Sequence, residues 1–312
     1  MIAAVLGDVS PDGLGFCQSH EHIYMRPCPA QTGEAIDDLE KSRAELELFR
    51  SCGGRAVVDA QPIGTGRDAG ALAKLSRESG VHVVASTGFH KLSYYPADHW
   101  VFSAAEKELA GLFVRELVSG MYLDGDFGFP AEASGFRAGQ IKTALDAEGL
   151  SPPYLKLFVA AAAAARETGS PIMTHIEKGS DPLKLAAFLR DQGVPPERLV
   201  FCHLDRAVRD LGVHKELCRM GVNLEYDTVG RPKYHDDERE LEIVAEMLAA
   251  GHGERLLFGL DTTRARLQSY GGVPGLCHIL KSFVPFMLKN GVGEADARRF
   301  FVENPARVFS RR

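Results

Sequence analysis

Short β-branched runs recur along the chain, each followed by a longer stretch whose apolar residues return every three or four positions. The runs predict strands and the longer stretches predict amphipathic helices. Strands are expected at 15–22, 55–60, 81–87, 136–143, 171–175, 199–203, 222–226 and 256–261. Helices are expected at 36–50, 69–79, 104–118, 154–167, 182–191, 208–220, 238–250 and 273–289. Glycines stand just past most of the helices (Gly80, Gly120, Gly169, Gly193, Gly221, Gly251 and Gly291), where a left-handed terminal residue is favoured. A last short helix is expected to open at Asn304-Pro305, a capping residue followed by a first-turn proline. The glycine-rich stretch 121–135 reads as a loop.

Strict alternation of strand and helix implies a parallel sheet. Eight such units favour an α/β fold closed as a (β/α)8 TIM barrel over an open doubly wound sheet. No linker or composition shift divides the 312 residues, so one barrel over 1–312 is expected. No G-x-G-x-x-G follows the first strand, which leaves a dinucleotide fold without its main signal. Gly64-Thr65-Gly66 reads as a surface turn.

Composition narrows the function. With 36 Lys plus Arg against 42 Asp plus Glu the net charge is −6, and 45% of residues are hydrophobic. A disordered chain is excluded. So is a nucleic-acid or membrane-surface binder, which would carry a basic excess. The apolar start lacks a basic flank and breaks at Asp8, and no run reaches a membrane span. Six scattered cysteines without a C-x-x-C pair suit core filling in a reduced, cytoplasmic setting.

Barrel chemistry sits where strands end. The first strand ends in His20-Glu21-His22, whose two imidazoles share a face by alternation. The fourth carries Lys142, in phase with Ala138 and Gln140. The fifth ends in His175, the sixth in His203 and the eighth in Asp261. A lone histidine at a strand end is ordinarily structural, and His82, His90, His99, His214, His235, His252 and His278 are read so. Six metal-capable residues at five strand ends are a different matter, and imidazole with carboxylate suits Zn²⁺ or a similar first-row ion. Lys142 in such a mouth must stay charged, lose its proton or be modified; alternatively it reaches solvent or holds a substrate anion. A carbamate on its amine would reverse its charge and offer two oxygens to two metals.

These residues resemble the binuclear site of the phosphotriesterase-like branch of the amidohydrolase superfamily. The resemblance runs from "GFCQSHEHI" through "AGQIKTA", "PIMTHIEKG", "VFCHLD" and "LLFGLDTTR" to "VENPARVF". It implies that His20, His22 and Asp261 bind the more buried metal and His175 and His203 the more exposed one. Lys142, as N6-carboxylysine, bridges both together with a hydroxide. The ions are expected to be two Zn²⁺, with Mn²⁺ or Co²⁺ as alternatives. Asp261 would take the proton from the nucleophile and pass it to the leaving group.

The stretches "YDTVGRPKYHDD" and "LDTTRARLQSYGGVPGL" resemble the phospho-furanose lactonases, in which a Lys and an Arg from these loops hold a phosphate. The matching residues are Lys233 and Arg264, with Arg231 and Tyr234 nearby; read as single residues they are equally solvated surface cations. The loop 90–100, with Tyr94, Tyr95 and Trp100, either covers the mouth or packs on itself. The expected function is metal-dependent opening of a lactone, of a phosphorylated sugar in particular. The rivals are a phosphotriesterase or apolar acyl-lactonase, a deaminase or cyclic-amide hydrolase, and a barrel that only binds. The partner is a small molecule, with neither nucleic acid nor membrane, and relatives imply a possible homodimer.

Overall fold

The computed structural model describes residues 1–28 and 35–311. A hairpin, β1 (Ile2–Ala4) and β2 (Gly7–Val9), precedes the barrel. The wall then runs β3 (Cys17–Glu21), β4 (Ala56–Asp59), β5 (His82–Val84), β6 (Ser86–Gly88), β7 (Gln140–Leu145), β8 (Ile172–Ile176), β9 (Leu199–Cys202), β10 (Asn223–Tyr226) and β11 (Leu256–Phe258). All neighbours pair in parallel. β5 and β6 form one wall segment interrupted at Ala85, whose carbonyl accepts the Gly139 N–H at 2.8 Å. The wall is therefore the expected eightfold TIM barrel, closed where the Asp261 N–H donates to the His20 carbonyl at 3.0 Å. Gly259 permits that closure, because a Cβ there would meet the His20 backbone at 2.7–2.8 Å.

Each return helix follows the logic of its ends. α1 (Leu39–Ser51), α2 (Ala69–Ser79), α6 (Pro182–Asp191), α8 (Leu211–Met220) and α9 (Asp237–Ala249) are each capped by the aspartate before them. α5 (Pro152–Thr168) opens on proline and closes on left-handed Gly169. α3 (Trp100–Ser103), α4 (Glu106–Val118), α7 (Leu204–Ala207), α10 (Val284–Lys289), α11 (Glu294–Arg298) and α12 (Asn304–Phe309) complete the set. Among the described residues no helix is long and apolar enough to cross a membrane.

The core has two layers. Between wall and helices lies the larger cluster, built from residues such as Leu72, Phe158, Phe201 and Phe258. Inside the wall Ala56, Val58, Val84, Met173, Val200 and Leu257 fill the lower barrel, and Phe309 of α12 plugs it.

Several expectations need correction. The helix expected at 273–289 begins only at a π-helical turn, Ile279–Phe283, because Pro274 and Gly275 hold the preceding segment as a turn. Strand eight ends at Phe258, so Asp261 lies in the loop beyond it. Asn304 does not cap α12; the π-turn Arg299–Glu303 runs straight into the helix, and the Asn304 amide donates to the carbonyls of Gly253 and Leu256. The cysteines are not all core filler. Cys17, Cys28, Cys202 and Cys218 are buried, but Cys52 and Cys277 form a disulfide across 225 residues of sequence. Barrel closure brings the end of α1 beside the segment that follows the last strand.

That bond closes a long loop of the unfolded chain, so replacing both cysteines by serine should cost about 2–4 kcal/mol of stability. Denaturation with and without dithiothreitol checks this. Superimposable curves would show that the bond does not contribute.

Candidate metal centre

The first histidine owes its direction to an irregularity, and the second shares it by alternation. Register between β3 and β4 shifts between Gln18 and Glu21. Cys17 and His20 therefore both face the barrel interior, although their spacing by simple alternation would part them. His22, just past the strand, lies with its ring 5.6 Å from that of His20.

Strands β7, β8, β9 and β11, with the turns just past the last two, bring the remaining residues to this point. The His175 and His203 ring centroids are 4.4 Å apart, and those of His20 and His203 are 4.9 Å apart. Asp261 turns Oδ1 toward Nε2 of His20 (3.7 Å) and of His22 (3.5 Å). Lys142 is fully buried, with Nζ 3.3 Å from His20 Nε2. Among the described residues no carboxylate forms an ion pair with it. His203 and Asp261 are the described non-glycine residues with positive φ, at 65° and 47°. Such backbone is held only where surroundings impose it, and here it aims two of the six side chains.

Carboxylates fix the polarity of three imidazoles. The Nδ1 edge of His20 meets Glu225 at 2.8 Å, and that of His203 meets Asp227 at 2.6 Å. His175 instead uses Nε2, 3.2 Å from Glu177. A carboxylate accepts, so each ring carries its proton on that side and presents a lone pair on the other. Burial, with Lys142 beside His20 and Arg206 beside His203, holds both imidazoles well below their usual range. They are neutral, which is the ligating form. Converging lone pairs, one carboxylate oxygen and a buried lysine without a counter-ion fit a pair of divalent ions. His20, His22, Lys142, His175, His203 and Asp261 are the residues that would hold them.

Over this cluster opens a cavity of about 1070 Å³. Its basic wall differs from the expected one. Arg206, Arg231 and Lys233 gather round the Tyr234 ring at 4.9, 5.4 and 4.7 Å. Arg206 and Arg231 also donate to Asp261 Oδ2, at 2.9 and 2.6 Å. Arg264 lines the cavity but turns to the Ala35 carbonyl at 3.1 Å and lies over Tyr270. The structure therefore joins Lys233 to Arg231 and Tyr234 and places Arg264 apart from them. In the loop 90–100 Tyr95 and Trp100 are buried packing residues, whereas Tyr94 lines the cavity.

Sequence reasoning names none of Arg206, Glu177, Glu225 and Asp227, and it reads His90, which lines the cavity, as structural. Glu225 and Asp227 alternate along and just past a buried strand, which is a usable signal. Arg206 offers none beyond its place in "HLDR".

The family model for the phosphotriesterase family matches residues 1–309. The chain belongs to the phosphotriesterase family. N-acetyltaurine hydrolase of Danio rerio is 27% identical over 98% of this chain and 97% of that protein. The phosphotriesterase homology protein of Escherichia coli K12 is 28% identical, covering 96% of this chain and 100% of its own. The solved lactonase Lmo2620 of Listeria monocytogenes superposes with a TM-score of 0.91 at 28% identity, over 100% of this chain and 99% of that one. The phosphotriesterase family is one of binuclear metal-dependent hydrolases, and this member carries candidate ligands for such a centre.

Behind the centre, Asp205 accepts the backbone N–H groups of Arg206, Asp227 and Thr228. Beside it Glu240 bonds His235 at 2.6 Å, and burial pushes the Glu240 carboxyl up to about 8. A carboxyl raised in the fold is favoured protonated there, so stability falls as pH rises from its ordinary value of 4.5 toward 8. Glu240→Gln should match wild type near pH 5 and exceed it by about 2–4 °C in Tm near pH 8. A gap that is constant with pH would show that Glu240 is charged throughout.

Proposed function

We propose that this protein opens the ring of an anionic lactone, of the phosphorylated furanose type, using two Zn²⁺ ions. His20, His22 and Asp261 would hold the buried ion, His175 and His203 the exposed one, and Lys142, as N6-carboxylysine, would serve both. The observation that carries the reading is the triple cation cluster of Arg206, Arg231 and Lys233 on Tyr234, beside Asp261 at the cavity wall. On a protein of net charge −6, such a cluster at the mouth of the barrel suits a phosphate.

When bound, the two ions activate water and polarise the acyl oxygen. The chain's own residues do the rest. Arg231 and Lys233 bind the phosphate and so fix the distance from anion to acyl carbon. Burial would raise the Asp261 carboxyl, but Arg206 and the neighbouring histidines hold it well below its usual range. Asp261 is thus a carboxylate that takes a proton briefly and passes it to the leaving alkoxide.

A second reading is supported by the N-acetyltaurine hydrolases, similar over nearly the whole chain. Their substrate joins an acyl group to a sulfonate, so the same cations would serve, with an amine as leaving group. A neutral phosphotriester or apolar lactone leaves the cluster without use.

Metal-loaded protein tested against phosphorylated lactones, their unphosphorylated parents and N-acetyltaurine decides between these. The phosphorylated lactone should give the highest kcat/KM. Lys233→Ala should lower it about 10- to 100-fold, the scale of one charge-assisted contact, while barely touching the unphosphorylated lactone; Arg231→Ala, which also takes a donor from Asp261 Oδ2, should slow both. Preference for N-acetyltaurine would establish the second reading. Equal losses on both lactones in Lys233→Ala would make that cation structural, and preference for neutral esters would contradict the proposal.

A further inference from the structure

A fifth imidazole faces this cavity with the opposite polarity. His90 follows β6, is 7% exposed, and lines the same space as His20, His22, His175, His203 and Asp261. Its ring lies 5.6 Å from His175 and 4.4 Å from Tyr94. Its Nδ1 does not meet a carboxylate. It accepts the N–H of Lys91 at 2.7 Å. A ring nitrogen that accepts carries no proton, so the neutral ring holds its proton on Nε2. Among the described residues no partner takes that Nε2–H.

The contrast with three candidate ligands is one of chemistry. In His20, His175 and His203 an acceptor draws the proton to the far edge and leaves a lone pair for a metal. In His90 a donor occupies the far edge and leaves a proton for an acceptor. The loop is built to keep it so. The His90 N–H donates to Tyr95 Oη at 2.9 Å, Tyr95 is buried, and the Leu92 N–H donates to Tyr154 Oη at 2.9 Å. The ring is thus fixed before any substrate arrives, which removes an ordering cost from binding.

We propose that His90 is a substrate-contacting residue, not a metal ligand: its Nε2–H donates a hydrogen bond to an oxygen of the reacting acyl group. No proton leaves it. The bond orients that group and strengthens as negative charge gathers on the oxygen. The assignment of substrate oxygen rests on the acyl-hydrolase reading above; the direction of the donor does not.

Two measurements separate these. In zinc-loaded protein with ¹⁵N-labelled histidine, long-range ¹H–¹⁵N spectra should show His90 neutral and protonated on Nε2 across about pH 6–8. Protonation on Nδ1, or a metal-bound Nε2, overturns the proposal. In kinetics on whichever acyl substrate the wild type turns over, His90→Phe keeps the ring contacts and should lower kcat/KM about 10- to 100-fold with both ions retained. His90→Gln, which can place an amide N–H near the same point, should stay within about fivefold of wild type, and neither variant should remove a limb of the pH profile. Unchanged activity in His90→Phe, or loss of an ion from it, contradicts the assignment. If the wild type hydrolyses neither lactones nor N-acyl compounds, the acyl reading falls, and the spectra alone decide whether His90 presents a proton.

Discussion

Where the barrel closes, the Asp261 N–H reaches the His20 carbonyl, and Gly259 lets the two backbones approach. This contact ties the first wall strand to the segment just past the last one, beside bonds from the Leu260 N–H to Glu21 and from the His22 N–H to Thr262, and the proposed buried metal position lies on it. His20 and His22 come from one side and Asp261 from the other, so the site cannot assemble unless the sheet closes. The same closure brings Cys52 of the first unit to Cys277 of the last.

Beneath the site the barrel interior changes character within a few ångströms. Aliphatic side chains fill its lower half, and above them lies a layer of imidazoles, carboxylates and one lysine. Buried groups of this kind are costly unless each has a partner. Here the partners also set direction. Glu225, Asp227 and Glu177 turn three histidines into lone-pair donors, while the Lys91 peptide turns His90 into a proton donor. One residue type therefore supplies both the ligands and the proposed substrate contact, and the distinction lies entirely in what stands behind each ring.

The metal-capable residues were legible in the sequence because a parallel barrel gathers its strand ends, and strand ends can be read from β-branched runs. Asp261 is not a strand end, since β11 stops three residues earlier, but its left-handed backbone still turns it inward. His20 was placed correctly, yet the register shift in β3 that aims it has no sequence signature. Loop residues were harder. Lys233 and Arg264 were paired by resemblance, but loop length does not fix side-chain direction, and Arg264 turns to Ala35 and Tyr270. Arg206 escaped notice because its role depends on Asp227 and Asp261, which lie far away in sequence. His90 reads in the sequence as one structural histidine among many, for the role proposed for it rests on a peptide N–H that no residue pattern reveals.

The central claim is that the converging lone pairs and the buried Lys142 hold two ions on a carboxylated lysine. Anomalous diffraction from crystals of zinc-grown protein, kept in bicarbonate, tests it directly. The account requires two zinc peaks about 3.5–4 Å apart, with added density on Lys142 Nζ reaching both. A single peak, or two peaks beside an unmodified lysine, would contradict it.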